Sequence, residues 1–551
     1  MKEFLRLHTF YVQLTLYLLT SCSLPGQYKN QEVYQVKLLK TTFLILLATV
    51  IANAQIKLEK VGGISTGGFN SGAAEISAYD SRSKRIFVIN AMNSSVDIID
   101  ISDPAKPTTI SSIMISPFGR QPNSVDANNG VIAVAIENVV KTSSGTVVFF
   151  NSNGQFLSSV QVGALPDMLT FTNDGRKVLV ANEGEPNDDY TIDPEGSVSI
   201  IDLSKGAINV KQSDVRTATF SAFNSSQLDP SIRVFGPRAN VAQDLEPEYI
   251  AVSRDSKTAY VTLQENNAVA VIDIDNAKVT KLIGLGFKDH SKTGNRIDAS
   301  DRDRRVNIAT WPVKGIYQPD SIAFVRRNGE NFFITANEGD ARDYRAFSEE
   351  ARVKDLMLDP TAFPNSDELK KDENLGRLTV TKATGDRDND GDYEELYAFG
   401  ARSFSIWSED GNMIFDSGED FERISAEAFP AEFNSDQAAN GSFDTRSDNK
   451  GPEPEALAVG ECFGRVYTFI GLERIGGIMV YDITKPRQPK FVQYINTRLF
   501  TGDPRMNTAG DLGPEGIEFV SRKESPTKDP LLIVSNEISG TVTIYKITRT
   551  E

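Results

Sequence analysis

The stretch from Asp386 to Glu394 has the residue spacing best suited to chemistry in this sequence. It reads Asp-Arg-Asp-Asn-Asp-Gly-Asp-Tyr-Glu, with an acid at every odd position and Gly391 at position 6 for a sharp turn. Alternating carboxylates on such a turn can wrap one Ca²⁺, although Tyr397 stands at position 12, where an EF-hand has Glu. The pattern predicts a calcium site outside an EF-hand, the alternative being an acidic turn without an ion. The predicted ligands are Asp386, Asp388, Asp390, Asp392 and Glu394.

Acidic residues also recur in pairs along the chain. In each pair one acid follows a Pro that opens a short apolar strand, and the other follows the next strand, 14 to 22 residues later. The pairs are Asp167 with Glu183, Glu248 with Glu265, Asp320 with Glu338, Glu455 with Glu473 and Glu515 with Glu537, and Asn123 with Glu137 is a mixed pair. Two strands joined by a turn bring both positions to the same side of the fold, so we expect a ring of carboxylates there.

Crowded carboxylates raise each other's pKa values unless positive charge intervenes. We expect either bound Ca²⁺ or arginines to neutralise the ring, and the arginine candidates are Arg342, Arg345, Arg402 and Arg474. Oxygen-only ligands favour Ca²⁺ over Zn²⁺ or copper. The alternatives are a solvated acidic rim or side chains that cap backbone amides. The predicted metal ligands of the ring are Asp167, Glu183, Glu248, Glu265, Asp320, Glu338, Glu455, Glu515 and Glu537.

The elements that must position these acids form a repeat. Each copy has a Pro-led strand, a polar turn, a second strand, an Asn/Glu-rich loop and a third, alternating strand. Copies start at Pro122, Pro166, Pro247, Pro319, Pro454 and Pro514, and weaker copies lie at 73–102 and 394–417. Repeated antiparallel units can close into a ring, so we predict an all-β fold. The predicted architecture is a single β-propeller of seven or eight blades with long loop insertions, seven if the copy near 394 is an insertion. A pair of β-sandwiches, the alternative, would not explain the recurring turns.

Composition excludes several classes of protein. The 551 residues contain two Cys and two His, which rules out a disulfide scaffold and disfavours a His-based metal site. The net charge of −17 argues against nucleic acid as a partner. His290 lies in a polar stretch and Cys462 in a predicted strand, and we assign neither of them a catalytic role.

Residues 1–54 differ from the rest and are interpreted as a leader with a signal peptide. The segment from Val36 combines Lys37 and Lys40, an apolar run and the small-residue signal Ala52-Asn53-Ala54, which favours Val36 as the true start. A lipobox ending in Cys22 is the alternative, so a lipoprotein is a second route to the surface. Both interpretations predict export, to a secreted, periplasmic or cell-surface location. Residues 55–551 then form the β-propeller domain, with no transmembrane segment in the mature chain.

Several long motifs resemble those of the choice-of-anchor I family of surface proteins. They lie at 285–290, 298–303, 311–315, 317–323, 335–340 and 397–407. The animal relatives of this family are mesenchyme-specific cell-surface glycoproteins linked to biomineral deposition. The resemblance implies an exported β-propeller of the WD40/YVTN-like class. Members of this family commonly add a C-terminal anchor or sorting segment, and because the last predicted strand ends close to Glu551 we do not expect covalent surface anchoring here.

Two functions follow as hypotheses. The first is an exported calcium-binding surface or extracellular module for a glycan, a mineral or a protein. The alternative is a calcium-dependent phosphoesterase, similar to alkaline phosphatases or phytases, whose partner is a phosphate ester. In that enzyme Glu338 or Glu183 would orient water, and Arg342 or Arg402 would hold the phosphate.

Overall fold

The structure is a computed structural model that describes residues 55–550. The proposed signal peptide, the Val36 start and the Cys22 lipobox lie outside the described residues. Within the described part, no helix is long and apolar enough to cross a membrane.

Seven four-stranded antiparallel sheets make up the body of the fold, and we number them as blades in chain order. Blade 1 consists of Ser77–Asp80, Arg85–Asn90, Ser95–Asp100 and Thr108–Met114. Blade 2 consists of Pro122–Asn128, Val131–Ile136, Ser144–Asn151 and Phe156–Ala164. Blade 3 consists of Pro166–Phe171, Lys177–Asn182, Ser197–Asp202 and Val215–Thr219. Blade 4 consists of Pro247–Val252, Thr258–Leu263, Ala268–Asp273 and Lys278–Gly284.

The remaining three blades include the one that closes the ring. Blade 5 consists of Ile322–Arg327, Glu330–Asn337, Ser403–Ser408 and Met413–Asp416. Blade 6 consists of Pro454–Cys462, Arg465–Leu472, Ile478–Asp482 and Lys490–Ile495. Blade 7 takes its inner strands from Pro514–Val520, Leu531–Asn536 and Thr541–Arg549, and its outer strand from Ile56–Ser65 at the other end of the domain. This pairing ties the two ends of the described chain into one sheet.

The blades pack side by side around a central channel. The first strand of each blade contacts the first strand of the next, and blade 7 contacts blade 1. Each of the seven junctions has its own cluster of buried apolar side chains, contributed by both flanking sheets. Strands such as Val131–Ile136 are therefore buried on both faces, which explains why their sequence is almost continuously apolar. This arrangement is the predicted all-β propeller, with seven blades.

The copy near 394 is not a blade. Ser403–Ser408 and Met413–Asp416 are the outer strands of blade 5, separated from Asn337 by an insertion. A five-stranded sheet is built there from Phe287–Asp289, Lys314–Ile316, Tyr397–Ala398, Thr379–Thr381 and Glu350–Arg352. Asp343–Tyr344 and Phe347–Ser348 form a small hairpin. The α-helices are Val241–Asp244, Ser366–Leu369 and Asp420–Ala428. Single 3₁₀ turns lie at Ala91–Asn93, Ala207–Asn209, Gln212–Asp214, Ser221–Phe223, Val353–Asp355 and Pro504–Met506.

Candidate functional site: an acidic channel mouth

The paired acids gather at one mouth of the channel. A cavity of about 460 Å³ opens there, and its polar lining includes Glu75, Asn123, Glu137, Asp167, Asp320, Glu515 and Glu537. A second space of about 440 Å³ lies deeper, lined by the first strands of all seven blades. The structure therefore brings together acids that are up to 462 residues apart in the chain, counted from Glu75 to Glu537 (537 − 75).

The Pro at the start of a blade explains how the first acid of each pair is aimed. In blades 2, 3, 4, 6 and 7 the strand register shifts directly after this Pro, so the next residue lies in a bulge. Pro has no N–H to give to the ladder, and a bulge turns a side chain away from the regular alternation. In blade 3, Leu165 before the Pro has a φ of 45°, a strained value for a residue with a Cβ. Asp167, which follows this strained turn and lies in the bulge, lines the cavity at the mouth.

The second acid of each pair is held by the end of the second strand. The backbone N–H of Glu183 donates to the carbonyl of Leu165 (2.8 Å), and the N–H of Glu473 donates to that of Glu453 (2.9 Å). Glu137 and Glu537 make the same bond in blades 2 and 7. These bonds hold the second acid beside the strand start that carries the first.

Three of these acids form a tight group, which we call triad A. It consists of Glu183 from blade 3 and Glu248 and Glu265 from blade 4, each offering a carboxylate oxygen within 4.8 Å of the other two. Glu248 and Glu265 are 8 % and 5 % exposed, and one oxygen of each is buried without a hydrogen-bond partner. Burial, together with the neighbouring charges, raises the pKa of Glu183 and Glu248 well above the usual range.

A second group, triad B, has the same construction between blades 5 and 6. It consists of Glu338, Glu455 and Glu473, again within 4.8 Å of one another. Here Lys450 bonds to Glu338 and lies 3.2 Å from Glu453, while Arg474 contacts Glu473 (3.0 Å) and Glu453 (2.8 Å). Burial alone would raise the pKa of Glu453. The charges of Lys450 and Arg474 outweigh this effect and hold that pKa well below its ordinary value. Triad B thus has fixed cations beside it.

The other predicted ring residues lie in the mouth outside the two triads. Burial raises the pKa of Asp167 to about 6, and burial with repulsion from Glu537 and Asp167 raises the pKa of Glu75 to about 8. Asp320, Glu515 and Glu537 also have raised pKa values because of burial. Glu75, which we did not predict, has no Pro before it, so the Pro-acid pattern could not reveal it.

The loop at 386–394 brings only part of its predicted ligand set together. Asp386, Asp388 and Glu394 form one close group, and Asp392 and Glu394 form another with Asp359. Asp359 belongs to a separate segment of the chain. Backbone contacts hold it beside the loop: Leu358 forms a β-bridge with Tyr393, and the N–H of Asp359 donates to the Tyr393 carbonyl (3.1 Å). Asp390 belongs to neither group and instead accepts the N–H of Asp392 (3.1 Å).

The four candidate arginines have different partners. Arg474 lies at triad B, and Arg342, fully buried, is bound by Asp244 and Glu246. Arg402 bonds to Glu422 (2.6 Å) and to the backbone carbonyls of Asp298 (2.6 Å) and Ser447 (2.9 Å). Arg345 pairs with Asp189 at the surface. Lys450 was not among our candidates, because it lies in the loop before blade 6, outside the repeated pattern.

The remaining reactive side chains are structural. His290 is buried, with Nδ1 at 2.6 Å from the carbonyl oxygen of Asn295, and burial lowers its pKa to about 3. Cys462 lies in a strand, as predicted: it ends the first strand of blade 6 and is buried. A metal site at the mouth would therefore consist of carboxylate oxygens.

These features define a class: a seven-bladed β-propeller with a carboxylate-lined channel mouth. The chain belongs to the choice-of-anchor I domain family, whose model matches residues 75–486, which confirms the resemblance drawn from the motifs. It is 33 % identical over 190 residues to Gigasin-3a of Magallana gigas, covering 32 % of this chain and 66 % of that protein. It is 28 % identical over 277 residues to the mesenchyme-specific cell surface glycoprotein of Strongylocentrotus purpuratus, covering 44 % of this chain and 35 % of the relative.

The chain thus spans less than two thirds of either relative. Among solved structures, the β-propeller domain of Cps50 (Swd1) from Myceliophteria thermophila superposes with a TM-score of 0.42 at 7 % identity, covering 89 % of this chain and 100 % of that one.

Proposed function

We propose that this protein is an exported, calcium-dependent binding module that takes its ligand at the acidic channel mouth. The observation that carries the proposal is the grouping of the carboxylates into triads, with buried oxygens in triad A that have no hydrogen-bond partner. Such oxygens are costly to bury unless a cation compensates them. An extracellular setting fits this role, and the sea-urchin relative is named a cell surface glycoprotein.

Calcium suits these groups better than other common metals. Ca²⁺ takes six to eight oxygen ligands at about 2.3–2.6 Å, so oxygens up to 4.8 Å apart can share one ion. Mg²⁺ requires shorter distances and a stricter octahedron, and Zn²⁺ prefers His and Cys ligands. The loop groups around Asp386 and Asp359 have the same chemistry, and we include them as calcium sites.

The ligand class follows from the charge of the mouth. A ring of carboxylates repels free anions, whereas a Ca²⁺ held by three carboxylates keeps coordination positions for further oxygens. Acidic glycans and carbonate or phosphate mineral surfaces supply such oxygens, and we propose them as ligands bridged through calcium.

The contacts of the arginines disfavour the phosphoesterase alternative. In that enzyme Arg342 or Arg402 would hold the phosphate, and both are buried and bound by carboxylates. We therefore favour binding without turnover.

The test uses the full chain, stripped with EGTA and then titrated with CaCl₂. An ion that binds the native state raises the melting temperature, and we expect a rise together with calcium-dependent retention on alginate beads or calcite powder. Hydrolysis of p-nitrophenyl phosphate is measured in parallel. No rise in melting temperature would refute calcium binding, and calcium-dependent turnover lost in E338Q would replace the module with an enzyme.

A further inference from the structure

Triads A and B are equivalent positions of the repeat. Each consists of the acid after the second strand of one blade, the acid after the Pro of the next blade, and the acid after the second strand of that blade. Glu183, Glu248 and Glu265 in triad A thus correspond to Glu338, Glu455 and Glu473 in triad B. Because the positions are equivalent, the two triads can be compared residue by residue for the basic side chains beside them.

The two triads differ in the cations that accompany them. Lys450 lies four residues before Pro454, and the residue four before Pro247 is Gln243. The side chain of Gln243 donates to the carbonyl of Asp193 (2.8 Å) and brings no charge to triad A.

The position of Arg474, the second cation beside triad B, is also occupied by a neutral residue beside triad A. Arg474 follows Glu473, whereas Asn266 follows Glu265, and its amide bonds to the carbonyls of Arg233 (2.8 Å) and Asp244 (2.7 Å). Triad B therefore has an ammonium and a guanidinium in positions where triad A has two amides.

Other cations act on triad A only from a distance: burial raises the pKa of Glu265 and Glu183, and the charges of Arg342 and Arg233 near Glu265 and of Lys141 near Glu183 oppose part of that rise. In the part of the chain that the structure describes, no Lys or Arg forms an ion pair with Glu183, Glu248 or Glu265. The nearby Arg342 is bound by Asp244 and Glu246, which are themselves acids. Arg233 is paired with Glu349. Lys141 pairs with Glu185, so these three cations each have a carboxylate partner outside triad A.

We infer that triad A is the exchangeable divalent-cation site of the mouth, whereas in triad B the side chains of Lys450 and Arg474 permanently take the place of the metal. The inference rests on the proposed calcium-dependent function and assigns the ion to one of the two groups. Glu248 and Glu265 each have a buried oxygen without a hydrogen-bond partner, against Glu455 alone in triad B, and such oxygens fit Ca²⁺, which needs further oxygens to complete its shell. Those remaining positions are where an acidic ligand can bind the ion directly.

The experiment is calcium titration by calorimetry in a full-chain background, D388N/D392N/E394Q, that removes ligands from both loop groups, since Glu394 belongs to each of them. We expect one binding step to remain, and to weaken at least about tenfold in E248Q and in E265Q. E473Q, the equivalent change in triad B, is the matched control and should keep the step. In EGTA, E265Q should melt no lower than the background, because the amide has the size of the carboxyl group and places no negative charge beside Glu183 and Glu248.

The outcomes separate this inference from the proposed function. Equal calcium affinity in E265Q and the background, or a loss in E473Q alone, would overturn the assignment to triad A. A binding step in the unmodified chain that disappears entirely in D388N/D392N/E394Q would also overturn it, while leaving a calcium-binding protein. A chain that binds no Ca²⁺ in any form would refute both.

Discussion

Glu453 and Glu455, two residues apart, have opposite electrostatic surroundings. Glu453 is fully buried and receives Arg446, Lys450 and Arg474, whereas burial and repulsion from Glu515 raise the pKa of Glu455. Removing one partner from a buried ion-pair network leaves the others uncompensated. We expect E453Q to lower the free energy of unfolding by about 3 kcal/mol, measured by urea denaturation in EGTA.

E455Q is the matched control for this prediction. It replaces a carboxyl group that has no cation in contact with it and whose pKa burial and Glu515 raise, so the free energy of unfolding should stay unchanged or increase. Equal losses in the two variants would show that packing, rather than charge, decides the effect.

Within a blade, a buried Asn before the second acid joins the second strand to the third. The Asn182 amide donates to the hydroxyls of Ser197 (3.2 Å) and Ser199 (3.0 Å), and Asn337 bonds in the same way to Ser403 and Ser405. Because Glu183 of triad A follows Asn182 directly, we expect N182A to cost about 2 kcal/mol of stability and also to weaken calcium binding. Urea denaturation and calcium titration measure the two effects.

N536A tests whether this coupling is local. Asn536 makes comparable bonds to Thr541 but precedes Glu537, which belongs to neither triad. We expect a similar loss of stability and an unchanged calcium affinity. A parallel loss of affinity in both variants would instead indicate a general loosening of the propeller.

At the scale of the element, the repeat made the blades and most of their acids predictable. Pro followed by an acid, and Asn/Glu-rich loops after the second strand, are local signals, so the blades and most mouth acids could be located from the sequence. The grouping of acids into triads depends on which blades are neighbours and on bulge geometry. Lys450 and Asp359 come from insertions that follow no repeat. The insertion after Asn337 also separates the outer strands of blade 5 from its inner strands, so the sequence did not show that they belong to one blade. Local patterns could not reveal these contacts.

At the scale of the whole molecule, the ring of seven blades encloses carboxyl groups whose pKa values are raised by folding. Glu518 faces the deeper channel beside Asp126. Burial is the larger cause and repulsion from Asp126 the smaller one of a rise in the pKa of Glu518 to about 8. A carboxyl whose pKa is raised by folding binds protons more tightly in the native state. Its stabilising contribution is complete below the unfolded value near 4.5 and is lost as the pH rises through 8.

We therefore expect the free energy of unfolding, measured by urea denaturation in EGTA, to fall steadily from pH 5 to pH 9. Each such group contributes at most about 1.4 kcal/mol per pH unit, and Glu518 should contribute less than this limit because its side chain is only half-buried. E518Q should flatten the profile, since the amide resembles the protonated acid, and E461Q, on an exposed side chain, should leave it unchanged. A metal-free protein that gains stability between pH 5 and pH 9 would show that the channel acids are compensated in the folded state.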